Sequence, residues 1–294
     1  MSVYLKNTHL DVVIGCPMEL YRGSRFDHSG NILQVTLNGK HTFCTSEKPE
    51  LSPLLGFGLM NEFDIDQPQG YSETQTGGYF YKIGVGELLK DEDNSYNFFN
   101  NYEMRPQQLS IRHEDENSMI FQSEHKRSDT ENIHYQKKIS IHQNQLLIEY
   151  RLVNKGSAVL KTSEYAHNFI SVNNTNVDSN YSLEFNFELN PAHFEAIHNI
   201  EPLLNFNSHK ISWTKTPNND FFIRRLNGKT SKGKWWRITN LAEGAGLKEE
   251  VSFEAGLVNL WGTSHVLSPE LFNEIIVDPG KAVTWWRKYT FFDV

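Results

Sequence analysis

Cysteine is almost missing from this 294-residue chain. The two present, Cys16 and Cys44, are too few for a disulfide scaffold and lack metal-ligand spacing, so both are expected as buried thiols. Positive charge is also short: Lys and Arg number 28 against 36 Asp and Glu, a net charge of -8. That sign repels a phosphate backbone or an anionic lipid surface, which argues against nucleic acid and membrane as partners. No stretch of ~18 apolar residues occurs, and the start, MSVYLKNTHLDVVIG, has no cationic segment leading into an apolar one. A cytoplasmic protein is expected. Amphipathic helical patterns of ten or more residues are absent too, the best short candidates being Pro191–His198 and a helical turn near Glu50–Leu55. Missing as well are a G-x-S-x-G elbow, a phosphate loop followed by a helix, and any HxH or HExxH pairing. His113, His125, His134 and His142 fall 12, 9 and 8 positions apart, spacings that put no two imidazoles on one face. These gaps disfavour nucleophilic hydrolysis and a bound metal.

What is present is alternation. Asn31–Leu37, Gln136–Ile141, Gln145–Val153, Tyr181–Leu189 and Lys281–Phe292 each switch between apolar and polar residues with period two and are rich in Val, Ile, Phe, Tyr and Trp. Such segments are half-buried antiparallel strands. Turn signals separate them: SGN at Ser29–Asn31, LNGK at Leu37–Lys40 and again at Leu226–Lys229, NKGS at Asn154–Ser157, DPGK at Asp278–Lys281. With 38% hydrophobic residues and no linker, charge block or fixed-period repeat, the chain reads as all-β, a large antiparallel β-sandwich forming a single domain over 1–294.

Four segments carry polar groups that neither a turn nor a cap explains. In Tyr165–Ile170 (YAHNFI), after Glu164, His167 and Asn168 interrupt an aromatic strand. A strand histidine is also a common packing residue. In Trp261–Phe272 (WGTSHVLSPELF), a buried strand is expected to fray at Ser268-Pro269 and present Glu270, since proline donates no ladder bond. An ordinary solvent-facing glutamate is the plain alternative. Four glycines frame Lys82 in Gly77–Gly86 (GGYFYKIGVG), and a bulge or close backbone approach explains them better than a phosphate cradle. Gly23–Asn31 (GSRFDHSGN) holds Arg25 beside an aromatic residue.

Taken in order, GSRF, the Gly-rich middle, His-Asn-Phe and the late strand ending in Glu, followed by PG and an aromatic strand, resemble the aldose 1-epimerase family of galactose mutarotase-like proteins. The resemblance runs from about Tyr21 to Phe292. It implies a β-supersandwich with an open cleft for a monosaccharide and no cofactor. By similarity, His167 matches the family's general acid on the ring oxygen and Glu270 its general base on the anomeric hydroxyl. Opening a hemiacetal removes one proton and supplies another on a neighbouring oxygen, and reclosure on the opposite carbonyl face reverses the two roles. The sequence departs from the family where a second histidine is usual; Lys82 stands in that neighbourhood as a candidate sugar ligand. No N-R-I arginine is evident, the nearest segment being LMNEFDI with Asn61 and Glu62. Arg25, Asn168, Asp220 in NDFFIR and Trp261 complete the candidate sugar-contacting set.

Three functions fit: an aldose 1-epimerase working through His167 and Glu270; a non-catalytic carbohydrate-binding or regulatory protein on the same fold; or a hexose-phosphate 1-epimerase with Arg22, Arg25, Arg224 and Arg225 as phosphate clamps. For catalysis His167 and Glu270 must face each other across one cleft with room for a pyranose ring between them. At least one of Trp236, Trp261 and Trp285 is expected to line that cleft, because sugar C–H faces pack on aromatic rings.

Overall fold

The structure, a computed structural model, describes residues 2–200 and 202–294. The alternation read in the sequence is the alternation of burial. Along Asn132–His142 the inward positions are Ile133, Tyr135, Lys137, Ile139 and Ile141. Along Ala282–Asp293 they are Trp285, Arg287, Tyr289 and Phe291. Each aliphatic side chain sealed this way stabilises the fold by ~1.5–3 kcal/mol relative to exposure. These two strands belong to a ten-stranded antiparallel sheet, in which Asn132–His142 pairs with Gln145–Asn154 and that strand with Ala282–Asp293.

A second, seven-stranded sheet has Leu59–Phe63, Leu160–Asn168 and Asn273–Val277 as neighbours at one end. Its apolar face packs on the ten-stranded sheet, and the shared core runs from Leu5 and Val12 to Tyr289 and Phe291. A four-stranded sheet, ending in Val258–Gly262 and Leu267–Leu271, and a three-stranded one built on Tyr79–Lys82, Gly86–Leu89 and Met104–Pro106 complete the described strands. Every strand pair among the described residues is antiparallel.

Turn chemistry accounts for the connections. Asn38 and Gly39, at φ 53° and 65°, are both left-handed, as the two central residues of a tight hairpin require. Gly84, at φ 81°, passes so close to Asp27 that a Cβ there would lie 2.6 Å from its carboxyl oxygen. The Gly-rich segment is thus a close backbone approach, as expected, and its Gly84 carbonyl accepts from the His28 N–H.

Four local expectations need correction. Of Pro191–His198 the first three residues, Pro191–His193, are helical, a 3-10 turn capped by the Asn190 side chain, and the chain then extends as Ala196–His198. Glu50–Leu55 forms turns rather than a helix. The strand from Tyr181 stops at Phe185, because the Asn186 side-chain oxygen accepts from the backbone of Lys234 and Trp235 and replaces the ladder there. Cys44 is buried, which pushes its thiol up to about 12, whereas Cys16 is only half-buried.

Candidate active site

Leu160–Asn168 lies between Leu59–Phe63 and Asn273–Val277, and from Glu164 onward it is buried on both faces. Period two then divides its side chains. Tyr165 and His167 point one way; Glu164 and Asn168 point the other, where they meet Arg287 and Tyr289 of the ten-stranded sheet. Past the end of this strand, Ile170 bridges to Leu267, so the strand Leu267–Leu271 is drawn alongside. The Asn168 N–H donates to Ser268 Oγ at 3.0 Å and the Asn168 side-chain amide to the Pro269 carbonyl at 2.7 Å.

That seam brings Glu270 to His167. Nδ1 and Oε1 stand 2.9 Å apart, both side chains are more than nine-tenths buried, and Ser268 Oγ donates to the same Oε1 at 3.3 Å. His167 Nε2 and Glu270 Oε2 have no partner among the described residues. The pair therefore couples through one atom of each group and leaves the other atom of each unengaged. This corrects the expected geometry: the two side chains touch, so a ring cannot sit between them and must lie over both. The expected fraying is also absent. Pro269 and Glu270 lie inside a continuous strand, and proline is tolerated there because Leu267–Leu271 is the outer strand of its sheet.

Aromatic rings surround the imidazole: Phe169 at 4.4 Å between centroids, Trp261 at 5.4 Å and Phe26 at 5.8 Å. Trp261 is partly exposed and is the tryptophan beside the pair; Trp236 and Trp285 are buried core residues, the latter stacked on Tyr150. Next to His167 lies a charged cluster. The Tyr165 phenol oxygen is 3.4 Å from Nδ1, donates to Glu62 at 2.6 Å and accepts from Arg25 Nη2 at 2.9 Å. Arg25 Nε also donates to Glu62, at 2.8 Å. Lys82 Nζ donates to the other Glu62 oxygen at 3.2 Å and to Tyr96 at 2.9 Å. Burial alone would raise the Glu62 carboxyl, but Arg25 and Lys82 together hold it below the usual range. Burial draws the Lys82 ammonium down despite Glu62.

The candidate residues separate accordingly. Arg25, His167, Glu270 and Trp261 share one neighbourhood. Lys82 does not open to a ligand: its ammonium is fully buried behind Glu62. Asn168 is not free for a sugar either, since its amide bonds Pro269 and its carbonyl oxygen accepts from Tyr289. Asp220 is exposed just before Phe221–Arg224, and its backbone carbonyl accepts from the Asn199 side chain rather than from a member of this cluster. Arg224 and Arg225 pair with Glu195. Sequence reading missed Tyr165 as a member of the site. The signal was there in its period-two spacing from His167, which puts both on one face.

No family model and no curated protein matches this sequence. Solved structures do match, over 99–100% of this chain. A galactose mutarotase-like protein from Lactobacillus casei superposes with a TM-score of 0.62 at 10% identity, covering 99% of this chain and 100% of that one. The fold is the galactose mutarotase-like one. A galactose mutarotase related enzyme from Lactobacillus acidophilus gives 0.60 at 13% identity, over 100% and 98% of the two chains. An aldose epimerase homologue from C. elegans gives 0.55 at 11%, over 100% of both. At these identities the mutarotase-like fold is what the likeness carries, as the sequence resemblance implied.

Proposed function

We propose that the protein is a cofactor-independent aldose 1-epimerase-type isomerase, interconverting the α and β anomers of an aldose. The observation that supports this most is the His167–Glu270 pair, coupled through Nδ1 and Oε1 with Nε2 and Oε2 left unengaged. Two oxygens on one carbon, the anomeric hydroxyl and the ring oxygen, need a base and an acid side by side, and these free atoms are such a set. Glu270 Oε2 takes the hydroxyl proton, the electron pair closes the C1 carbonyl, the bond from C1 to the ring oxygen breaks, and His167 Nε2 gives its proton to that oxygen. The open aldehyde turns its other face, and the reverse transfers restore carboxylate and imidazolium. Trp261 offers an apolar face to the ring.

A carbohydrate-binding protein without turnover is the second reading, favoured by the same close contact, which turns both groups toward each other while no sugar is bound. Exchange spectroscopy on equilibrated aldoses separates the two. Anomer exchange above the spontaneous rate, lost by ~10²–10⁴-fold in both Glu270→Gln and His167→Asn, is the expected result. The double variant should lose far less than the product, because groups acting as a unit are non-additive. Exchange at the spontaneous rate with every aldose tried, or undiminished in either variant, refutes the assignment.

A further inference from the structure

Arg25 is built as a receptor beside the pair. Its guanidinium carbon is packed against aromatic rings, with Phe26 and Phe98 centroids each 4.6 Å from Cζ and Phe99 at 5.8 Å. The loop that carries Phe98 and Phe99 is tied to the arginine's own segment: Ser24 Oγ donates to the Asn100 carbonyl and accepts from the Tyr102 N–H, and the Ser24 N–H donates to the Asn101 side chain. Nε and Nη2 are engaged by Glu62 and Tyr165. Nη1 has no partner among the described residues, and the side chain keeps 16% of its surface open while Glu62 has none. The one carboxylate in contact, Glu62, faces two cations, Arg25 and Lys82; Asp64 acts on Lys82 only from a distance. A flat guanidinium that spends Nε and one Nη2 hydrogen on Glu62 and Tyr165 still offers Nη1 and the second Nη2 hydrogen at its outer end, a pair that matches the two oxygens of a carboxylate.

The order of groups identifies where that carboxylate would sit. Glu270, His167, Tyr165 and Arg25 follow one another through contacts of 2.9, 3.4 and 2.9 Å. In a hexuronic acid the anomeric oxygen, the ring oxygen, C5 and its carboxylate also follow one another in a row. With the anomeric hydroxyl on Glu270 and the ring oxygen on His167, the C6 carboxylate falls on the Arg25 side. We propose that the outer end of Arg25 is a carboxylate site, and that the substrate class is the hexuronic acids rather than neutral hexoses; this rests on the isomerase reading above. A hexose 6-phosphate places its charge two bonds farther out and brings a dianion to a single guanidinium end, so it is the weaker match.

The test compares anomer exchange of D-glucuronate and D-galacturonate with that of D-glucose, D-galactose and D-glucose 6-phosphate, beside binding of the same sugars followed by tryptophan fluorescence. Wild-type protein should favour the uronates by ~10–100-fold in kcat/KM, the range of one charge-assisted fork. Arg25→Lys, which keeps the charge beside Glu62 and loses the fork, should bring that ratio close to one, with the far-UV spectrum reporting that the fold persists. Neutral hexoses exchanged as well as uronates would overturn the carboxylate site and leave the isomerase standing. A preference for the 6-phosphate would likewise overturn it. Uronate binding that weakens in Arg25→Lys, with no exchange of any sugar, would uphold the site and remove the isomerase. An unchanged preference in Arg25→Lys would mean that Arg25 is not the receptor.

Discussion

Two buried ionic clusters lie back to back on the strands Leu59–Phe63 and Leu160–Asn168. On one face Glu62, Arg25, Lys82 and Tyr165 lead to the His167–Glu270 pair, where side-chain atoms remain unengaged. On the other face Asp27, Lys137, Glu164, Glu249 and Arg287 are each paired. Asn61 accepts from Lys137 and Tyr150 at 2.8 Å each, Lys137 and Tyr135 reach Asp27, and Arg287 bonds Glu164 twice, Glu249 once and the Leu271 carbonyl. Both clusters are removed from water, so both would be costly if unpaired. The difference is in satisfaction: the inner network uses its donors and acceptors on itself, as a strut would, while the outer one keeps a ring nitrogen, a carboxylate oxygen and a guanidinium end for something else.

The comparison can be broken first at the outer cluster. Glu270→Gln and His167→Asn are expected to cut anomer exchange by ~10²–10⁴-fold while costing less stability than the ~3–5 kcal/mol of a broken, fully engaged buried pair, since each group is engaged at only one of its two polar atoms. Urea midpoints measured beside the exchange rates check both halves. A large loss of stability in these variants would make the pair structural.

The inner cluster should behave in the opposite way. Arg287→Met leaves Glu164 and Glu249 facing each other without their cation, and a broken buried pair typically costs ~3–5 kcal/mol. The pKa directions agree with that dependence: Arg287 is held well above its ordinary range by Glu164 and Glu249, whereas burial raises Glu249 even with the arginine present. A triple change of Arg287→Met, Glu164→Gln and Glu249→Gln should recover part of the loss. An unfolding free energy within about 1 kcal/mol of wild type for Arg287→Met alone would show that the network is not the strut.

Much of this division was legible in the sequence, and the remainder was hidden for a definable reason. Alternation gave the strands, and in the alternating segments Gln136–Ile141 and Lys281–Phe292 Lys137 and Arg287 share a register with the apolar residues, a sign the sequence reading did not draw on and the structure shows as burial beside Ile139 and between Trp285 and Tyr289. A charged residue in an otherwise apolar register is the readable sign of a buried network. Glu62 and Asn61 were noticed only as the place where an arginine was missing, because adjacent residues of a strand buried on both faces show no alternation to sort them. Lys82 was read as a ligand for want of its partner: no local pattern reveals that Glu62, twenty positions earlier, meets it. Contacts between His167 and Glu270, or Arg25 and Tyr165, depend on which strands pair, and period two carries no information about that.

A carboxyl outside both clusters sharpens what pairing does. Asp64 follows the strand Leu59–Phe63 and lines a cavity of about 120 Å³ with Gln69, Tyr81, Glu131 and Leu160. Burial raises its pKa from 3.8 to about 6, only partly offset by the Ser163 N–H. The folded value lies above the unfolded one, so nothing is lost below about pH 4, where both states hold the proton. As pH rises from 4 to 6 the unfolded chain releases it first, and stability falls by about 3 kcal/mol, at 1.36 kcal/mol per unit. Asp64→Asn keeps the oxygen that accepts from Ser163 and removes the titration. Its stability, measured by urea at several pH values, should lack this fall. Parallel profiles for the two proteins over pH 4–6 would refute the claim.

The smallest expected effect is at the seam between the two clusters. Ser268 Oγ accepts from the Asn168 backbone N–H, whose residue is anchored inward by Tyr289, and donates to Glu270 on the outer side. Ser268→Ala therefore leaves a buried N–H without its partner, a cost of ~1–3 kcal/mol, and releases one restraint on the carboxylate. Ser268→Thr keeps the hydroxyl and should restore most of what alanine loses, provided its added methyl is accommodated. Because the hydroxyl only steadies Glu270 Oε1 and His167 still contacts that oxygen at 2.9 Å, anomer exchange should fall by no more than about tenfold, well short of the loss in Glu270→Gln. An alanine variant as inactive as Glu270→Gln but fully stable would place the hydroxyl among the groups that meet the sugar. An alanine variant that is destabilised yet exchanges anomers at the wild-type rate would assign Ser268 wholly to the strut.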